Sequence, residues 1–357
     1  MKQKIWLDET DAALDDAARR YTAERYRFES RQRLPADERR FSPAVWKDLG
    51  DMGWLAVSTP EDLGGLGLRV ASICLLAEAA GRALINEPFI GSGVLAPYLI
   101  ARHASAQQRD ASLPGLLAGR ERVACLLDEN VVRVNDGRLH GTQAVLADAD
   151  IADHLLVVAG DALWWLAADA PGVTRKTFPL LDGRGAATVA FDGAAATRLG
   201  DDASAARGIQ VALQLAALAI ASDAHGAMSA AFELTLDYLK TRRQFGTPLG
   251  TYQALQHRAV DMYVALGESR AVLDQAIESL QNGSPEAARD VHAAKSLVCE
   301  SARRVTQEAV QLHGGIGITE EYAASHYLRR ARVDEQLWGS AERHFIAFAA
   351  AEPAPIH

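Results

Sequence analysis

An α+β multidomain fold is predicted for this chain, helical at both ends with a β segment between, and three observations predict it. Apolar residues recur at helical spacing through the first third. From about residue 121 to 200, short β-branched and aromatic runs alternate with Gly, Asp and Pro. After Gly200 the helical spacing returns and persists to the end. The expected boundaries are a helical domain over 1–120, a β domain over 121–200 and a helical domain over 201–357. Composition agrees: with 357 residues, 49% hydrophobic and 23% charged, the chain has length for two to three domains, and its Ala- and Leu-rich texture favours helix.

Each element has its own signal. Ser42 starts a helix, since its hydroxyl can accept from an orphan N–H, Pro43 fits the first turn and Phe41 staples onto Trp46. Val45, Leu49 and Met52 predict its apolar face, and Gly50 and Gly53 its end. The breaker-dense stretch from Thr59 to Gly67 is a loop, followed by a second apolar helix from about Val70 to Leu84. Val131-Val132-Arg133-Val134, Asn135-Asp136-Gly137 and Arg138-Leu139-His140 form a hairpin signature; His154 to Val158, Trp164 to Leu166 and Thr188 to Phe191 are strand-like. Leu255, Ala259, Met262, Leu266, Leu273, Ile277 and Leu280 track one helical stripe. A turn at Asn282-Gly283-Ser284-Pro285 leads to a helix that stops at His313-Gly314-Gly315.

Charge and cysteine usage exclude some functions. Lys and Arg number 37 against 46 Asp and Glu, a net charge of −9, which argues against a nucleic-acid partner. Cys74, Cys125 and Cys299 are scattered, with no C-x-x-C and no metal-site spacing, so no metal is expected and a reducing cytoplasm is. The opening MKQKIWLDETD is acidic where an export signal needs apolar residues. The longest apolar run, Val211 to Ala221, is broken by Gln214 and reads as a buried helix; no membrane partner is expected.

Two segments carry chemistry: Arg242-Arg243-Gln244-Phe245-Gly246-Thr247-Pro248-Leu249 with Tyr252-Gln253, and Gln311-Leu312-His313-Gly314-Gly315-Ile316-Gly317. The first sets an Arg and an amide near an aromatic. The second is a Gly-rich turn after a long helix, where bare N–H groups can approach a phosphate. Either segment alone is more often a plain helix–helix connection.

Together, in this order, they resemble the acyl-CoA dehydrogenase family, over nearly the whole chain. Trp46 to Trp54 with Pro60-Glu61-Asp62-Leu63-Gly64-Gly65-Leu66-Gly67 is similar to the family's N-terminal segment, Glu78 to Leu84 to its next helix, and the β segment to its small β domain. The resemblance implies a helical N-terminal domain, a β-barrel or sandwich middle domain and a C-terminal four-helix bundle. It also implies dimers or tetramers, and FAD as cofactor. Arg242, Phe245 and Gln253 match family residues that contact FAD, commonly across a subunit boundary. Gln311, Gly314 and Gly315 match the turn holding its adenine and pyrophosphate end, and Ser340 matches a cofactor-touching Thr.

The family's base does not carry over. The usual Glu position is Trp338, whose indole has no basic site, and the alternative position on the first C-terminal helix falls near Ala216, where Val211 to Ser222 holds no carboxylate. Asp334 and Asp223 are the substitute candidates, with His225 beside the latter; a solvated helix face or an ion pair with Arg330 or Arg332 is the favoured reading of Asp334 and Glu335. A family loop that lies beside flavin and thioester is also missing, because Asp128-Glu129-Asn130 runs almost directly into the hairpin.

Two main readings follow from the resemblance. One is an FAD-dependent α,β-dehydrogenase of an acyl-CoA thioester, in fatty acid or steroid side-chain catabolism, passing electrons to an electron-transfer flavoprotein. The other is a catalytically silent subunit that pairs with an active homologue and completes its FAD site. A flavin oxidase or monooxygenase of the same fold is a third.

Overall fold

The computed structural model describes residues 8–33, 40–200 and 205–351. Residues 1–7 of the stretch read for an export signal, and residues 201–204, where strand was expected to give way to helix, lie outside the described residues. The order of elements is helical, β, helical. Helices α1 (Glu9–Arg25), α2 (Phe28–Gln32), α3 (Pro43–Asp51), α4 (Val70–Ala83), α5 (Ala96–His103) and α6 (Ala106–Leu117) come first. Eight strands follow: β1 (Val123–Leu126), β2 (Val132–Asn135), β3 (Arg138–Ala147), β4 (His154–Ala159), β5 (Ala162–Ala167), β6 (Val173–Pro179), β7 (Gly185–Ala195) and β8 (Thr197–Arg198). Then come α7 (Ala205–Thr241), a small hairpin of β9 (Arg243–Gln244) and β10 (Thr247–Pro248), α8 (Gln253–Gln281), α9 (Ala287–His313), α10 (Ala323–Asp334) and α11 (Ala341–Ala350).

Two compact units cut across this order. One comprises Met1–Leu34, Val70–Ile85 and Ala217–His357; the other, Pro35–Arg69 and Asn86–Ala216. Helix α4, from the first third of the chain, therefore belongs with the C-terminal helices.

In the second unit, Ser42 caps α3 by accepting from the Val45 N–H at 3.4 Å, and the Phe41 and Trp46 rings lie 6.4 Å apart. The buried face of α3 is Trp46 and Leu49. Met52 is exposed, contrary to the apolar line read from the sequence, because it follows the last helical residue, Asp51. Gly50 is inside that helix; the exit is made by Gly53, at φ +79°. A buried π-helical segment, Phe89–Leu95, was not foreseen. Its Ser92 hydroxyl accepts from the Val123 N–H at 2.9 Å and anchors β1.

The strands form two open four-stranded sheets, in the orders β1-β4-β5-β8 and β2-β3-β7-β6. Only the β1–β4 pair among them is parallel. Leu155 and Val157 of β4, Leu139 of β3 and Val189 and Phe191 of β7 share one apolar core, which makes the arrangement sandwich-like. The β2–β3 hairpin closes as read: Asn135 pairs with Arg138, and Asp136 and Gly137 stand at φ +50° and +70°, the two left-handed residues of a type I′ turn.

In the first unit, α4 and α7 cross at near-contact distance. A Cβ on Gly81 would lie 1.9 Å from the Asp223 carbonyl oxygen, and one on Gly226 would lie 2.0 Å from that of Glu78. Ala259, Met262, Leu266, Leu273 and Ile277 of α8 are buried, as the stripe predicts. Helix α7 is a longer apolar element than the run seen in the sequence. Over Arg207–Thr241 it has the length and composition to cross a membrane, yet 83% of its most apolar window is buried. Cys74, Cys125 and Cys299 are buried thiols outside any disulfide, and burial pushes the Cys125 and Cys299 thiols up.

Two glycines test these packing roles. Gly81→Ala should lower stability by about 3 kcal/mol, because neither helix backbone can retreat from the new methyl. Gly267→Ala, at an exposed position of α8 where a Cβ meets nothing within 4 Å, should raise it by about 0.5–1 kcal/mol. Urea midpoints at unchanged slope provide the measurement.

Candidate cofactor and active site

Most of the residues singled out from the sequence lie in the first unit, on the ends of its long helices. Helix α7 ends at Thr241, and the chain reverses through β9 and β10, closed by the Leu249 N–H donating to the Arg242 carbonyl at 2.8 Å. Phe245 and Gly246 form the turn, at φ +51° and +84°. Left-handed geometry suits glycine but is unfavourable for a phenylalanine by about 1–2 kcal/mol. Phe245 is nevertheless held there with 92% of its surface exposed, which also forgoes about 1.5–3 kcal/mol of burial. Among the described residues almost nothing covers the ring, so the turn presents it outward. Arg242 and Gln253, the first residue of α8, are exposed as well, and among the described residues Arg242 has no ion-pair partner.

At the end of α9, Gly314 takes φ +64° and ψ −141°, a conformation open in practice only to glycine. Side chains built on Gly314 or Gly315 would meet no atom within 4 Å, and Gln311 is exposed one turn earlier. This is an open backbone cradle next to an amide. A guanidinium, amides, an aromatic face and bare glycine backbone form a donor set that fits a dinucleotide with its pyrophosphate.

The segment after α10 holds Trp338, the residue that the family resemblance puts at the base position. Trp338 is half-buried at φ +57°, followed by Gly339 at +95°. The loop is tied down by His344 of α11, whose Nε2 donates to the Trp338 carbonyl at 3.0 Å, while its Nδ1 lies 2.9 Å from Nδ1 of His292. A carbonyl can only accept, so the proton sits on His344 Nε2 and Nδ1 accepts from His292. Burial, with the Trp338 carbonyl acting against it and Lys295 and His292 adding to it, pushes His344 down to about 4. Ser340 caps α11, accepting from the Arg343 N–H at 3.1 Å.

The substitute carboxylates sit elsewhere than expected. Asp334 is fully buried, not on a solvated face, because the end of α10 lies against α9 and the buried Lys295 ammonium donates to the Asp334 carbonyl oxygen. Glu335 makes the anticipated ion pair, with Arg332 at 2.8 Å, and lies 3.6 Å from Arg303. Asp223 is buried, 3.6 Å from Nε of the equally buried Arg330, which also donates to the Ile85 carbonyl. His225 belongs to a network on α4, α7 and α8, its Nδ1 accepting from Arg270 at 3.2 Å while Arg270 reaches Glu78 at 3.0 Å. These groups hold helices together, and neither aspartate reaches the surface. In the second unit, Asp128 closes a tight turn onto the Asn130 N–H at 3.0 Å, so β1 passes to β2 through only Leu127 to Val131.

His292 and His344 sit in no recognisable sequence motif, and only the fold brings them to the Trp338 loop. His313 lies inside the QLHGG segment, where its chemistry alone suggests no role. Among the described residues, no group of three His, Cys, Asp or Glu side chains is placed to hold a metal ion.

Residues 8–120 match the family model for the acyl-CoA dehydrogenase N-terminal domain, and residues 206–351 that for the C-terminal domain. The chain belongs to the acyl-CoA dehydrogenase family. It is 31% identical to acyl-CoA dehydrogenase IpdE2 of Mycolicibacterium smegmatis over 345 residues, 95% of each chain. Among solved structures it resembles the Tcur3481-Tcur3483 steroid ACAD variant, with a TM-score of 0.85 and 30% identity over 96% of this chain and 97% of that one. The ChsE4-ChsE5 complex from Mycobacterium tuberculosis shares the fold, with a TM-score of 0.86 at 24% identity, covering 98% and 99% of the two chains. Acyl-CoA dehydrogenases are FAD-dependent oxidoreductases.

Two predictions follow from the buried groups. Asp223→Ala should destabilise the protein by about 3–5 kcal/mol, since it strands the Arg330 charge in the interior. His344 titrates near 4 when folded and near 6.5 when unfolded, so the unfolded chain binds more protons between these values. Its contribution is whole above about pH 6.5 and is lost as pH falls toward 4, by about 3 kcal/mol in all. His344→Gln should flatten that part of a stability-against-pH curve.

Proposed function

We propose that this chain is the FAD-binding, base-deficient subunit of an acyl-CoA dehydrogenase assembled from two unlike chains, whose substrate is the acyl-CoA side chain of a steroid. One observation carries this reading. The residues that match the family's FAD contacts are displayed outward or left uncovered, whereas Trp338 occupies the base position and Asp223 and Asp334 are locked in the interior. A chain equipped to hold cofactor yet not to abstract a proton fits a partnership in which the other subunit brings the carboxylate. The short β1–β2 connection agrees, because it leaves no room for the flavin-side loop that the family resemblance would put there. The steroid ACAD and the ChsE4-ChsE5 complex are relatives of the kind this reading needs.

Each residue has a task in that assembly. Arg242 would neutralise the pyrophosphate, Gln253 and Gln311 would bond ribose and adenine, and Phe245 would lie against the cofactor from across the subunit boundary. Gly314 and Gly315 would admit it to backbone distance, and the Ser340 hydroxyl would donate to it. When bound, FAD supplies the hydride acceptor for α,β-dehydrogenation of the thioester. Trp338 closes its part of the site without proton chemistry. An electron-transfer flavoprotein is the electron acceptor and the cytoplasm the location, in keeping with three reduced cysteines.

Visible spectra decide the matter. Purified alone, the chain should show no flavin bleaching when a steroid side-chain acyl-CoA is added anaerobically. Co-expressed with a base-bearing homologue, it should yield a yellow complex that the same thioester bleaches, and Glu→Gln at the partner's base should abolish the bleaching. Stoichiometric bleaching of the chain alone refutes the division of labour.

A further inference from the structure

We propose that His313 is a positioning residue that fixes the spacing between the two FAD-binding segments, Arg242 to Phe245 and Gln311 to Gly315, by bridging the end of α7 to the Gly-rich turn. This rests on the FAD reading above.

His313 is the last residue of α9 and is buried. Its Nδ1 lies 2.7 Å from the Ala309 carbonyl, the acceptor one turn earlier, so Nδ1 carries the proton and the ring is pinned in one orientation. Burial pushes its pKa down, which keeps the imidazole neutral. Its buried Nε2 faces the Leu234 backbone of α7 but makes no bond of full hydrogen-bond geometry, a desolvation penalty that a leucine or phenylalanine in the same space would avoid. Filling the core therefore does not account for the imidazole. Its donor and its orientation do.

The pinned ring lies between two tyrosines, with centroids 4.5 Å from Tyr238 of α7 and 5.0 Å from Tyr322, the residue before α10. Tyr238 is one turn before Arg242, and its carbonyl accepts from the Arg242 N–H at 2.8 Å. The ring thus bears directly on the helical turn from which Arg242 and the Phe245 hairpin emerge. On its backbone side, Gly314 follows immediately, and the turn folds back over it: a Cβ on Gly317 would come within 2.9 Å of the His313 Cβ. One residue therefore touches both halves of the cradle. Tyr322 closes the far side and keeps the ring from swinging out.

The test uses the full-length chain in whichever form, alone or with its partner, takes up FAD in the preceding experiment. FAD affinity is read by flavin fluorescence quenching, alongside the melting temperature of the apoprotein. His313→Leu should weaken FAD binding about tenfold or more, with apoprotein melting changed by no more than a few degrees. His313→Asn, whose amide nitrogen can replace the Nδ1 donor, should restore affinity to within about threefold of wild type. Tyr238→Leu should match His313→Leu, and the double variant should be no worse than either. Unchanged affinity in His313→Leu overturns the proposal. So does a loss that tracks apoprotein stability, with Asn no better than Leu, for that is ordinary core damage. A wild-type protein that takes up no FAD in either form overturns the cofactor reading itself.

Discussion

The helical unit depends on two main chains meeting with nothing between them. At the α4–α7 crossing, Gly81 receives the Asp223 carbonyl and Gly226 receives that of Glu78, so each helix supplies the gap that the other's backbone fills. The approach leaves no room for side chains, so the neighbouring polar groups are forced into short-range pairs. Arg330 reaches Asp223, and Arg270 reaches Glu78 and His225. Helix α7 is thereby held at this crossing, and Arg242 and the Phe245 turn follow its C-terminal end. A helix free to slide at this crossing would carry the Arg242–Phe245 turn with it.

Local chemistry made much of this legible in advance. The Ser42 cap, the Asp136-Gly137 hairpin and the α8 stripe rest on interactions within a few residues, and they appear as read. The π-helical segment was invisible because its two glycines and mixed apolar residues give no period. Met52 was misplaced because the spacing that put it on the buried face runs one residue past the helix end. The sequential division into three segments follows element order. The assignment of α4 to the C-terminal helices depends on contacts far apart in the chain, which no window of sequence contains.

The candidate site divides in the same way. The segments proposed for the cofactor stand out in the sequence because RRQFG and QLHGG are contiguous, and their residue types bear directly on phosphate and amide recognition; the fold adds that Arg242, Phe245 and Gln311 are exposed. The expectation that Trp338 replaces the base likewise rests on one position and needs no long-range contact to be drawn. The fate of Asp334 and Asp223 was not legible in this way. An aspartate near arginines reads as solvated or paired, and only the fold shows Asp334 enclosed beside Lys295 and Asp223 beneath Arg330. The His292–His344 pair spans 52 residues and had no local signal at all.

The Phe245 turn carries a thermodynamic consequence. Its backbone is already closed by the β9–β10 pairing and by the bond from Leu249 to Arg242. Ordering a free loop would require about 1–2 kcal/mol per residue at the moment of association. Here that entropy is lost during folding instead, so in the proposed assembly a partner would meet a ring already in place and retain more of the contact energy as affinity. In that assembly the exposed phenylalanine and its unfavourable φ would be two aspects of one arrangement: lower stability of the separate chain in exchange for less reorganisation on binding.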